Sequence, residues 1–128
     1  MTADFERYAT PRPRLTPDIT GGLQTMDSPG EVAFHLLGQD LRLVVSEEDG
    51  GSLFLIFADS TNGSSMYPAG RYLVTPAPKE GVVVLDFNRA YNPPCAFSPY
   101  ATCPLPLPGN RLGLAIEAGE RDVPSSAR

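Results

Sequence analysis

The residues best suited to chemistry gather around one stretch of the chain. Asp86 lies in an apolar, β-branched run at residues 82–87, and residues 88–110 follow it. A carboxylate buried on that apolar strand would need partners. It could serve as a general base or a ligand anchor, or it could accept backbone amides and fix the loop start at Asn88. Asn88, Asn92 and Asn110 flank the loop. Their amides can tie loop backbone in Asx-type turns or hydrogen-bond a ligand. Arg71, Arg89 and Arg111 border the same region. If two of them converge they can clamp a carboxylate or phosphate. Otherwise they pair with Asp59, Asp86 or Glu117. Tyr91, Phe97 and Tyr100 supply aromatic surface, the usual lining of a small-ligand pocket.

Cys95 and Cys103 are the only cysteines and His35 the only histidine. Zinc normally takes four ligands, so no metal site is expected, and no other cofactor is implied. A nucleophilic Cys95 would need His35 within hydrogen-bond reach. The alternatives are two small, partly buried hydrophobes or a local bridge closing a short loop. No phosphate-binding glycine loop or metal-binding helix motif is present.

These residues need a scaffold, and the bulk numbers bound it. With 128 residues the chain suits one domain. Leu, Ile, Val and Phe number 31, enough to offset ordering entropy with a modest core. The net charge is −5 and the ten basic residues are scattered, which argues against nucleic acid. No apolar run approaches the roughly 20 residues of a spanning helix. Residues 1–7 lack the basic flank and apolar stretch of a secretory signal. The expectation is a cytoplasmic protein without membrane contact, in which reduced thiols are the default.

Period-two alternation dominates. Val32, Phe34 and Leu36 share one face, as do Leu41, Leu43 and Val45. A two-residue turn at Gln39 and Asp40 sets Leu36 beside Leu43 and Phe34 beside Val45, matching the apolar faces. Residues 52–58 are apolar on both faces, as in a central or barrel strand. Asn62-Gly63 marks a turn. Residues 71–75, 82–87 and 112–117 read as further strands. Residues 1–30 read as weakly ordered: one helical turn at residues 4–8, then Pro11, Pro13 and Pro17, which break helices. A short strand at residues 23–26 and a disordered tail at 122–128 complete the reading. The expected fold is all-β: a small antiparallel barrel or sandwich of about six or seven short strands, with the domain proper at 31–121.

Residues 88–110 contain six prolines among 23 residues. A loop so long in a compact domain is usually functional, and the prolines reduce the entropy lost on ordering. The expected structure is an ordered cap over one end of the barrel.

The run Leu85-Asp86-Phe87-Asn88-Arg89-Ala90-Tyr91-Asn92-Pro93-Pro94-Cys95 resembles the signature of domain-of-unknown-function family 1684, a bacterial and archaeal family. So do Cys103-Pro104-Leu105-Pro106, Asn110-Arg111-Leu112 and Glu117-Ala118-Gly119-Glu120. Upstream, Phe57, Asp59, Thr61-Asn62-Gly63, Tyr67 and Gly70-Arg71-Tyr72-Leu73 match in the same way. The resemblance covers roughly residues 31–121 and implies a shortened N-terminal region. It implies no activity.

The reading that asks least of these residues is a binding module whose 86–110 segment holds a small molecule or a protein's peptide. A hydrolase using Asp86 or Cys95 is the second reading. The third is an accessory subunit that self-associates through a sheet edge or apolar patch.

Overall fold

The computed structural model describes residues 1–18, 21–59, 70–93, 103–107, 110–112 and 116. They form six strands: β1 (Thr2–Pro17), β2 (Leu23–Leu36), β3 (Gln39–Glu47), β4 (Leu53–Phe57), β5 (Arg71–Thr75) and β6 (Val82–Val84). Two short 3-10 turns, Asp49–Gly51 and Phe87–Arg89, join them. The sheet runs β5-β4-β3-β2-β1-β6, antiparallel throughout, and curls into a half-barrel. The all-β expectation holds, and β5 occupies the predicted residues 71–75.

Residues 1–30 differ from their prediction. Nearly all the described ones belong to the two longest strands, and residues 4–8 are extended rather than helical. The prolines fit because of where they fall. Asp18 N donates to Gly22 O at 3.0 Å, so with the register Arg12↔Ser28 through Pro17↔Leu23 the even residues of β1 carry the ladder bonds. Pro13 and Pro17 occupy outward-facing backbone positions, where a missing N–H costs nothing. Pro11 lies in the bulge between Arg7 and Arg12, which has no ladder to break.

The bulge also bends the hairpin. Near it Ser28 Oγ donates to Val45 O at 2.6 Å, with Gly30 O 3.0 Å away. Gly30 lies so close to β1 that an added Cβ would sit 2.2 Å from Glu6 O. Past this point Thr16 and Met26 reach Val44, Phe54 and Ile56 on the outward face of β3 and β4.

The main core lies on the inward face. Leu53, Leu55 and Phe57 meet Val32, Leu43, Val45 and Leu73 there. Phe87 packs between Phe34, at 5.8 Å between ring centroids, and Phe57, at 5.4 Å. Phe54 and Ile56 face the other way and are covered too, which is why β4 is apolar on both sides. The predicted strand 82–87 ends at Val84, and the 3-10 turn turns Phe87 into the core.

The β2–β3 hairpin keeps the predicted faces but turns two residues earlier. Leu37 and Gly38 form the loop, so Phe34 pairs with Leu41 and Val32 with Leu43. A shift of two per strand preserves parity, so the apolar faces match equally well in either register. Leu37 has φ 51° and Gly38 φ 77°, the left-handed pair of a type I′ turn. Leucine is strained there and gains no burial, being 69% exposed. Leu37→Asn restores the Asn-Gly pair this turn favours. It should raise stability by about 1 kcal/mol, read as a higher denaturation midpoint at unchanged slope.

Candidate functional site

The cap residues hold the molecule together through polar bonds to backbone. Strands β3 and β4 pair directly only at Ser46↔Phe54 and Glu47↔Leu53. The next ladder position, Val44 opposite Ile56, is filled by a side chain. Asn110 Oδ1 accepts from Val44 N at 2.9 Å, while Nδ2 donates to Val44 O and Ile56 O, both at 2.9 Å. Its backbone continues the splice: Ala58 N donates to Asn110 O at 3.1 Å, and Leu112 N to Ala58 O at 2.7 Å.

Arg71 is the second fastening. It is wholly buried, stands opposite Phe57 in the ladder, and lies 5.0 Å from that ring's centroid. Nη2 donates to Asp59 Oδ2 at 3.1 Å and to Ile116 O at 2.8 Å. Ile116 N returns a bond to Asp59 Oδ2 at 2.9 Å. Of the two roles open to Arg71, ion pairing with Asp59 is the one observed. Arg89 does likewise with Asp86 at 3.6 Å, on the surface. The three arginines do not form one anion clamp: Arg71 is buried while Arg89 and Arg111 are exposed.

Asp86 caps the 3-10 turn, accepting from Asn88 N at 3.1 Å. It lies on the face of Val82 and Val84, but that face is outward, so the carboxylate is half exposed rather than buried. The Asn88 side chain is exposed and Asn92 is buried. Tyr91 is half exposed. It exchanges two backbone bonds with Tyr72, each 2.9 Å, and packs edge-on against its ring. Burial and the Glu48 carboxylate push the Tyr91 phenol above its ordinary 10.0. Cys103 is buried. Cys95, Phe97 and Tyr100 lie outside the described residues, as does any bridge to Cys95. His35 sits at the exposed end of β2, 2.9 Å from Asp40. Among the described residues no three His, Cys, Asp or Glu side chains converge as a metal site would require. None of the described helices is long and apolar enough to cross a membrane.

The described part of the cap fills space rather than enclosing it. Between Leu105, Leu107 and Asn110 and the strands beneath remains a void of about 10 Å³, room for no more than a water. Beside the cap, two hollows lie on the outer surface between β5 and β6. Val74 of β5, Pro76, Val84 of β6, Asp86 and Arg89 line a hollow of about 210 Å³. Pro76, Ala77, Lys79, Val82 and Val84 line an adjoining one of about 290 Å³. Sequence reasoning brought Asp86 and Arg89 to this place and missed the valines. The signal was present: Val82-Val83-Val84 is β-branched on both faces, yet a strand can bury only one face in the half-barrel core.

Comparison with known proteins agrees with this fold. The family model described as a protein of unknown function, DUF1684, matches residues 1–121, so the match includes the first thirty residues. A solution NMR structure of an uncharacterized protein of Haloarcula marismortui is 31% identical. It is similar over 94% of this chain and 69% of that one, with a TM-score of 0.76. No curated protein matches the chain.

Three outcomes follow from this geometry. Asn110→Ala leaves the Val44 N–H and the Val44 and Ile56 carbonyls without their partner, at about 1–3 kcal/mol for each buried group. A loss of at least about 3 kcal/mol in chemical denaturation is expected. Arg71→Met removes one partner of a buried ion pair, a loss of about 3–5 kcal/mol. Adding Asp59→Leu should recover part of it, because an apolar pair then stands where half of a buried ion pair was left. Tyr91 contributes stability that is full below about pH 10 and is lost as pH rises through its higher folded-state pKa. Tyr91→Phe should remove that alkaline loss, read from melting temperature against pH.

Proposed function

The chain belongs to the DUF1684 family, and from the geometry of its outer surface we propose that it is a binding module for a short apolar ligand. The site is the groove between the edges of β5 and β6, at the start of the 86–110 segment. One observation carries the reading: Val74, Val82 and Val84, exposed by 42%, 43% and 50%, line two adjoining hollows with Pro76 and Ala77. Scattered exposed apolar residues are ordinary, but a concave contiguous group rimmed by charge marks an interaction surface. Lys79 rims one end and the Asp86–Arg89 pair the other.

On this reading the ligand sits beside the cap rather than beneath it. The void under the described cap is too small for a ligand, which argues against a barrel-mouth pocket. Catalysis finds less support. Asp86 already holds the Asn88 amide and the Arg89 guanidinium, and His35 is engaged with Asp40 at an exposed turn. Neither pairs a nucleophile with a base in a cleft.

The test uses an environment-sensitive apolar dye such as anilinonaphthalene sulfonate on the native protein. Saturable fluorescence enhancement is expected. It should fall several-fold in Val84→Asp and Val74→Asp, and persist in Leu15→Asp, which adds the same charge at an exposed leucine on the distal hairpin. Equal enhancement in all four proteins would remove the groove as a site.

A further inference from the structure

Resting on that reading, we infer that the ligand is an extended peptide held by backbone pairing in the seam between β5 and β6. The argument comes from where the backbone groups point. Leu85 N donates to Met1 O at 2.8 Å and Met1 N to Leu85 O at 3.0 Å. Phe5 N donates to Gly81 O at 2.8 Å. With the register Thr2↔Val84, Ala3↔Val83 and Asp4↔Val82, the odd residues of β6 bond to β1. Antiparallel ladders alternate, so Val82 and Val84 direct their N–H and C=O away from β1. Val82 shows this directly, exchanging bonds of 2.9 and 2.8 Å with Lys79 on that side.

β5 follows the same logic on the opposite edge. Tyr72 exchanges both its backbone bonds with Tyr91, away from β4. In the register Ile56↔Tyr72 and Phe54↔Val74, Val74 therefore points its backbone groups the same way. Tyr91 closes the edge at Tyr72, and Lys79 closes the other edge at Val82. Val74 and Val84 remain. Among the described residues neither has a backbone partner on its edge side, and both line the same hollow of about 210 Å³.

An apolar small molecule would cover the valine side chains and leave two N–H and two C=O groups to water. An extended peptide offers a donor and an acceptor on each side of its backbone, with side chains alternating toward and away from the groove floor. It satisfies both edges and covers the same valines. Chain direction is free, because the two edges belong to different strands. The recognised features are an extended backbone without proline at the seam and a small or β-branched side chain facing Val74 and Val84.

The experiment uses the whole chain, ¹⁵N-labelled, with a blocked pentapeptide of alternating valine and threonine and the same peptide N-methylated at alternate amides. The expected result is that the unmethylated peptide displaces the dye, shifts the Val74 and Val84 amide resonances and slows their hydrogen exchange about tenfold or more. The methylated peptide should bind at least about fivefold more weakly, the worth of one or two hydrogen bonds. Val84→Pro keeps an apolar surface and removes only an N–H outside the ladder, so it should fold. It should lose the peptide by a similar factor, with dye binding to the groove read on the unsubstituted chain. If dye still binds and both peptides bind alike, or Val84→Pro leaves peptide affinity intact, backbone pairing is overturned while the groove stands. If the dye fails as well, the groove itself is overturned. Concentration-dependent dimerisation that Val84→Pro abolishes would assign the seam to a second copy of this chain and overturn the peptide.

Discussion

A curled sheet cannot pair all its own backbone, and in this protein one side-chain amide supplies what is missing. Where β3 and β4 separate, Asn110 stands in for a peptide unit, accepting from Val44 N and donating to Val44 O and Ile56 O. Each of these buried groups would otherwise carry the cost of an unmade bond. Aspartate has no donor to offer, and leucine has neither donor nor acceptor. Seating Asn110 also fixes the path of the chain on either side. Leu112 is brought into a ladder with Ala58, and Leu105 and Leu107 are laid over the outward face of β4.

The Arg71–Asp59 pair extends the same principle one step along. Two buried charges are stabilising only when their remaining hydrogen-bonding capacity is met. Here the backbone of Ile116 meets part of it, its carbonyl accepting from Arg71 and its amide donating to Asp59. The pair thus fastens a third stretch of chain to the end of β4 and β5. Gly70, immediately before Arg71, has φ 104°, and a Cβ there would sit 2.8 Å from Pro106. The strand start and the cap are fitted to each other at the same point. Arg71, Asp59 and Asn110, which resemble site residues in the sequence, are therefore committed to architecture.

Local pattern made the strands legible and left their meeting places obscure. The alternation of Val32, Phe34 and Leu36 with that of Leu41, Leu43 and Val45 fixed which face is inward. It could not fix the turn, because two registers of the same parity satisfy it. The β4 run, apolar on both sides, correctly implied cover on both faces. The N-terminal strands were hidden by three prolines, read one at a time as breakers. Taken together they are all at odd positions with Leu15 among them, the pattern of an edge strand whose outward backbone needs no donor. Asp86 looked buried because it shares parity with valines. The outward face of β6 is itself apolar, so parity alone gave the wrong environment. Asn110 and Arg71 were legible as loop-fastening and ion-pairing residues; their partners, more than ten residues away along the chain, were not fixed by any local rule.

That apolar outward face on β6 is best understood through the way sheet edges are normally protected. Exposed edges invite pairing with other chains, and natural sheets shorten, charge or cover them. Both edges here are treated in that way over most of their length. β6 is three residues long and folded back onto Lys79, and β5 is covered at Tyr72 by Tyr91. Among the described residues of the β5–β6 seam, what stays open is one valine on each side, at the same hollow, flanked by Lys79, Asp86 and Arg89. An opening this short cannot template a long run of strand, so it carries little risk of propagating aggregation. It offers two donors and two acceptors above a valine floor, enough to recognise an extended backbone and too few to hold one tightly. Protection on either side of the seam keeps the opening short.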